Sequence, residues 1–196
     1  MRIRATAIAA TITTAAIAVT LTACGTGDEQ GTAERATSSA PSATTEKKAD
    51  EPKNDDKPNT ELAVGDGFRY KDGLKITVTA ISRITKYGEY DEKPAANQTA
   101  FRVSWTVTNG SSKPVDLDGW GYNATGATTG GQTMPIAVEP GSKFMTGRLA
   151  AGREASFTSE YTIAKNDGPD ILFTMTRLDE STNLLAEDPH WTGTIK

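Results

Sequence analysis

Two residue types in this chain occur once each and carry the most chemistry: one cysteine, Cys24, and one histidine, His190. A thiolate is a strong nucleophile, and a lone thiol has no partner within the chain for a disulfide. Nucleophilic catalysis by serine needs a base beside the hydroxyl and a third group to orient that base. His190 is the only imidazole available, in Asp188-Pro189-His190-Trp191, and no Gly-x-Ser-x-Gly elbow is present. No catalytic residue is therefore assigned, His190 is expected on a surface or turn, and the chain is not expected to be an enzyme. Zinc wants clusters of Cys, His or carboxylate, and beyond Cys24 only His190 offers a soft ligand. Met134 and Met145 offer thioethers of the kind Cu(I) favours, but a copper site would need more than one His; packing is the expected role of both. Asp116 and Asp118 alternate like ligands of a Ca²⁺ loop, yet Trp120 stands where the third ligand would fall, so a solvated strand face fits better. Gly119 to Gly126 and Gly130-Gly131 form a glycine-rich stretch with no Gly-Lys-Ser/Thr ending and no helix to open, hence no phosphate cradle. No metal and no cofactor is expected.

The positions of the aromatic residues locate the fold that would hold any site. All thirteen Phe, Tyr and Trp residues lie at or after Phe68. A packed core needs such side chains, because each buries a large apolar area. The folded domain is accordingly placed at residues 62–196, about 135 residues, enough for one core without metal or disulfide. Charge divides the same way: residues 25–61 hold nine acidic and five basic residues, and residues 62–196 hold sixteen and fourteen. A domain so close to neutral, without a basic block, lacks the electrostatic footprint of a nucleic-acid binder.

Within 62–196 the pattern is one of strands. Phe101 to Thr108 alternates apolar and polar without a fault, the signature of one buried and one wet face. Asp72-Gly73 between Asp66–Tyr70 and Leu74–Ala80 is a hairpin signal. Val115 and Leu117, Phe144 to Leu149, Arg153 to Ile163, Ile171 to Met175 and His190 to Ile195 supply further runs, with Ala155, Phe157, Ser159, Tyr161 and Ile163 sharing a face. Helical periodicity is nearly absent; Thr182 to Glu187 could make a single turn. About eight short strands with turn signals at 8–12-residue spacing predict an all-β antiparallel sandwich or barrel. Trp120 and Tyr122, beside the glycines, admit two readings: loop-borne anchors for a partner, or residues packing inward from a strand edge.

The first 23 residues read as an export signal. Arg2 and Arg4 precede a 17-residue run, Ala5 to Leu21, of Ala, Ile, Val and Leu interrupted by five threonines, and small residues lead up to Cys24. An uncleaved membrane anchor is the alternative, against which stand the short length and the dilution by Thr and Ala. Leu21-Thr22-Ala23-Cys24 resembles the lipobox of bacterial prolipoproteins. That resemblance implies diacylglyceryl transfer to the Cys24 sulfur and cleavage between Ala23 and Cys24, giving a palmitate-type lipid anchor on the outer face of the cell membrane. Two acyl chains anchor stably where one binds only marginally. Residues 24–61 then read as a disordered linker: 25–61 contain no aromatic, Ile, Leu or Val, and cannot bury enough surface to offset ordering entropy. As a coil of 37 residues the segment would span about 35 Å root-mean-square and on the order of 120 Å when taut. A spacer and a filler without a specific role are both consistent with it.

The strand succession also resembles a family of Ig-like domains of bacterial, often actinobacterial, lipoproteins. Gly73 to Val78 matches its Gly-Leu-x-Ile-x-Val strand, Val103 to Asn109 its central strand ending in Asn, and Leu149 to Phe157 its late Leu-x-x-Gly turn, with Ala151 replacing the usual Pro. The resemblance implies an Ig-like β-sandwich that binds a protein or cell-wall component; transport or sensing of a small molecule or metal is the alternative. It carries over no catalytic residue. Replacing Cys24 with Ser is expected to release the protein into the medium or leave it unprocessed, as read by membrane fractionation. A Ser variant that still fractionated as a processed, detergent-requiring membrane protein would refute the lipobox.

Overall fold

The computed structural model describes residues 30–36, 59–139, 141–178 and 186–196. Twelve strands appear in chain order: β1 (Gly31–Glu34), β2 (Glu61–Ala63), β3 (Gly67–Tyr70), β4 (Leu74–Arg83), β5 (Gln98–Asn109), β6 (Val115–Asp116), β7 (Trp120–Gly126), β8 (Met134–Pro135), β9 (Arg148–Leu149), β10 (Glu154–Ala164), β11 (Asp170–Arg177) and β12 (His190–Thr194). They form a six-stranded sheet ordered β1-β3-β4-β5-β10-β8, a four-stranded sheet ordered β2-β12-β11-β7, and a small β6-β9 pair. This is the expected all-β sandwich. Its pairings are antiparallel with one exception, since β2 runs parallel to β12 with Glu61 opposite His190. No helix among the described residues is long and apolar enough to cross a membrane.

Alternation places the core between the sheets. Phe101, Val103, Trp105 and Val107 of β5 are buried with Leu74, Ile76 and Val78 of β4 and Phe157, Tyr161 and Ile163 of β10. From the other sheet come Ile171, Phe173 and Met175 of β11 and Trp191 of β12. Trp105 is the centre, its ring 4.9 Å from Tyr122, 5.3 Å from Phe173 and 6.2 Å from Phe157 by centroid. Such offset aromatic contacts add to the area each ring buries.

Turn chemistry gathers three connections at one end. Gly73, at φ +93°, supplies the left-handed residue of the β3–β4 turn. The Gly73 carbonyl accepts from Gly110 N–H, and Asn109 N–H donates to the Arg153 carbonyl, so the 71–73, 110–114 and 150–153 turns lie together. Asn109 is fully buried, and its Nδ2 donates to the carbonyls of Lys113 (2.8 Å) and Leu149 (2.9 Å). The connections 84–97, 127–133 and 165–169 lie at the opposite end, where β5 begins and β10 finishes.

Three expectations require correction. The segment 24–61 is not wholly outside the domain: Gly31–Glu34 pairs antiparallel with β3, and Glu61 belongs to β2, so the boundary at residue 62 moves. The glycine-rich stretch from Gly119 is a strand, β7, and not a loop, and of the two readings of Trp120 and Tyr122 the structure takes the inward-packing one. Trp120 is 7% exposed, in edge contact with Tyr70 at 5.2 Å, while Tyr122 packs half-buried against Trp105. The run from Phe144 shortens to Arg148–Leu149. The expected turn at 182–187 lies mostly outside the described residues, as do Leu21 to Cys24. Replacing Trp120 with Ala should cost about 3–5 kcal/mol in urea unfolding, the range for truncating a core aromatic. A change below about 1 kcal/mol would return Trp120 to the surface.

Candidate interaction surface

The polar residues singled out for chemistry are held in structural roles. His190, half-buried at the start of β12, has Nδ1 3.1 Å from the Asp188 carbonyl oxygen. Asp116, exposed at the end of β6, accepts at Oδ1 from Asp118 N–H (2.9 Å), and Asp118, in the turn that follows, accepts at Oδ1 from Gly147 N–H (2.8 Å). Met145 is buried, as packing requires, whereas Met134 is 62% exposed. Tyr161 stacks on Phe101, and burial pushes its phenol up to about 12, so it stays protonated at neutral pH. Among the described residues no group of three His, Cys, Asp or Glu side chains is placed to hold a metal.

Asp66, in the β2–β3 turn, is the most engaged of the carboxylates. Its oxygens accept from the backbone N–H of Ala36 (2.8 Å) and Ala63 (3.0 Å) and from Arg35 Nη1 (3.2 Å). Its carbonyl accepts from the indole N–H of Trp191 at 2.9 Å. Burial alone would raise the carboxyl, but the hydrogen bonds from Ala36, Ala63 and Arg35 outweigh it and hold the group below its ordinary value of 3.8. The residues it ties down belong to the N-terminal segment. Asn59 grips the same segment from the far side, donating from Nδ2 to Gly31 O (2.8 Å) and accepting at Oδ1 from Ala33 N–H (2.7 Å). Its amide thus does for β1 what a further strand would do, and caps the sheet edge. Glu34 pairs with Arg69 and Lys75, whose hydrogen bonds hold its carboxyl below the ordinary 4.5.

This clasp forms one wall of a groove of about 690 Å³ on the outer side of the smaller sheet, lined by Arg35, Glu61, Leu62, Leu172, His190 and Thr192 among others. Its size lies in the range of small-ligand sites, with charged groups around an apolar floor.

A second surface lies along the free edge of β10. Residues 134–139 and 141–145 form a strap: Met134 and Pro135 pair with Thr162 and Tyr161, Ile136 N–H donates to Glu160 O, and Lys143 bridges to Thr158. Beneath it Glu160, 1% exposed, accepts from Arg102 Nε at 2.7 Å and from the Ser142 hydroxyl. The strap leaves Met134 and Phe144 outside, 62% and 64% exposed. Tyr90 is 93% exposed, and its neighbour Asp91 accepts from Glu139 N–H of the strap at 3.1 Å. Exposed aromatic residues on loops held against a rigid sheet are typical interface anchors. Sequence reasoning missed Tyr90 and Phe144. Tyr90 lies in a polar, Gly- and Pro-containing stretch outside any run, and Phe144 opens the run expected as a strand, which drew attention away from its exposure.

No protein-family model matches the chain, and no curated protein matches it. Among solved structures it is similar to YcdA, a candidate lipoprotein of Bacillus subtilis, at 13% identity over 63% of this chain and 37% of that one, with a TM-score of 0.47. The match therefore spans little more than a third of YcdA. It is also similar to the YjhA protein of Bacillus subtilis, at 16% identity over 69% of this chain and 99% of that one, TM-score 0.48. A β-sandwich protein of Clostridium difficile is 12% identical over 72% of this chain and 99% of its own, TM-score 0.42.

The clasp has a defined pH response. Asp66 and Glu34 both titrate below their ordinary values when β1 is docked, so their contribution is fully present above those values, 3.8 and 4.5, and is lost as pH falls through the lowered ones. Hydrogen exchange at Thr32 to Glu34, corrected for intrinsic rates, should show protection that fades as pH falls below those ordinary values of 3.8 and 4.5. Asp66→Asn should lower that protection at pH 6; unchanged protection in the variant would show that the carboxylate does not hold the segment.

Proposed function

We propose that this chain is a membrane-anchored extracytoplasmic lipoprotein whose Ig-like sandwich binds a protein or cell-wall partner, without catalysis and without nucleic acid. The observation that carries the reading is the lone Cys24, placed after an apolar run and small residues and ahead of a β-sandwich. A sandwich hosts many functions, so the binding role rests on its surface and not on its fold. The surface that supports it is the strap edge, where Tyr90 and Phe144 offer large contact areas at low cost in side-chain entropy. One observation favours a second reading, a small-molecule ligand: the groove beside Arg35 and His190 has the volume of a ligand site.

Crosslinking and pull-down from intact cells, with the protein on its native tether, tests the strap edge against the groove as the surface that a partner contacts. A double variant, Tyr90→Ser and Phe144→Ser, should reduce partner recovery by about tenfold or more, the loss expected of hot-spot residues, with the melting temperature essentially unchanged. Full recovery by that variant would remove the strap edge from the binding surface. Loss of recovery confined to Arg35→Ala or His190→Ala would move the site to the groove.

A further inference from the structure

The chain leaves the sandwich toward Cys24 at one defined point. Gln30 O accepts from Lys71 N–H at 3.0 Å, and Gly31 pairs with Tyr70, so the segment departs beside the β3–β4 turn. Between Cys24 and Gln30 there are six residue steps, at most about 20 Å of fully extended chain. The docked strand thereby removes most of the 37 residues that would otherwise separate the lipid from the domain. The sandwich is itself long, since the twelve residues of β5 extend about 40 Å. With so short a leash fixed at one extremity, the two ends of the domain cannot exchange places at the membrane.

We infer that the end built from the 71–73, 110–114 and 150–153 turns is the face apposed to the phospholipid headgroups, and that the docking of β1 sets this orientation. The inference rests on the lipid anchor at Cys24 proposed above. Charges on that end are mixed, Lys71, Lys113 and Arg153 standing with Asp72, Asp116 and Glu154, so chain length and not charge makes the assignment. Leu178 is 63% exposed at the same end, an apolar side chain that a headgroup layer accommodates. The opposite end, with the 84–97 loop and Tyr90, faces outward, which leaves the strap edge accessible to partners.

Gly31 supplies the control. A Cβ there would overlap the Arg69 carbonyl oxygen and the Phe68 ring, so Gly31→Val blocks docking of β1. The buried residues of the core lie at or after Leu62, and the sandwich remains without that strand. The anchor then acts through the full linker, whose taut reach is on the order of 120 Å.

The experiment uses the lipidated protein in vesicles of phosphatidylcholine and phosphatidylglycerol containing a headgroup-spin-labelled lipid. Fluorophores are placed at Ser112→Cys, on the near turns, or Asn166→Cys, at the far end; the Cys24 sulfur is already blocked by its lipid. Quenching at position 112 should exceed that at 166 by about threefold or more, and Gly31→Val should abolish the difference while the melting transition persists. Equal quenching at both positions, in protein whose diacylglyceryl group is verified by mass, overturns the orientation and leaves the anchor standing. A persistent difference in Gly31→Val shows that β1 docking does not set it. A mass without the lipid overturns the anchor reading, and the orientation with it.

Discussion

A single aspartate reconciles two kinds of sequence in one fold. The residues from 25 to 61 carry nothing that a hydrophobic core could retain, yet part of them is an ordered strand. Apart from Ala33, which packs against the core, the segment is held by polar interactions, and an ionised carboxylate is suited to that because it is purely an acceptor, with about four lone-pair sites. Asp66 directs them to Ala36, Arg35 and Ala63, so one side chain joins the N-terminal strand to the turn between the sheets. Its own carbonyl receives Trp191, which seats the clasp on the smaller sheet of the core. The arrangement is electrostatic where the rest of the domain is hydrophobic.

Lateral closure follows the same division of labour on the other flank. There the strap covers the β10 edge, and a buried glutamate, Glu160, is satisfied by Arg102 and Ser142. Exposed strand edges invite pairing with other chains, and both ends of the larger sheet are protected, by Asn59 on β1 and by the strap on β10. At the end that carries the β3–β4 turn Arg177 performs a third such task. Its guanidinium lies 5.1 Å from the Trp120 ring and 5.4 Å from that of Tyr70, and its Nη2 is 2.7 Å from Asp72. Buried charge is tolerated at these places because each is paired at a margin of the core.

Strands with one wet and one dry face were legible in the sequence, and those without were not. β5 could be read residue by residue, since its burial follows its alternation from Phe101 to Asn109. The inward set on β10, Phe157 to Ile163, was plain too, but the burial of Glu160 and Thr162 on its other face comes from the strap and has no local signal. β7 was hidden by glycine: Gly121 and Gly126 suggested a loop, although Trp120 and Ala124 already marked an inward face. β1 carried no signal at all, because Gly-Thr-Ala-Glu is held by hydrogen bonds to distant residues and contributes no apolar side chain larger than alanine. The site was less legible than the fold. Exposure of Tyr90 and Phe144 is decided by the path of the strap, a tertiary property that no local pattern encodes.

The parallel pairing of β2 with β12 has a consequence for how the molecule is made. β12 lies between β2 and β11, so the smaller sheet has a gap at its middle until residues 190–194 are in place. Trp191, fully buried, enters the core only then. A topology of such long-range contacts folds slowly and cannot be completed by a partly synthesised chain. The two sheets close only once β12 has joined them.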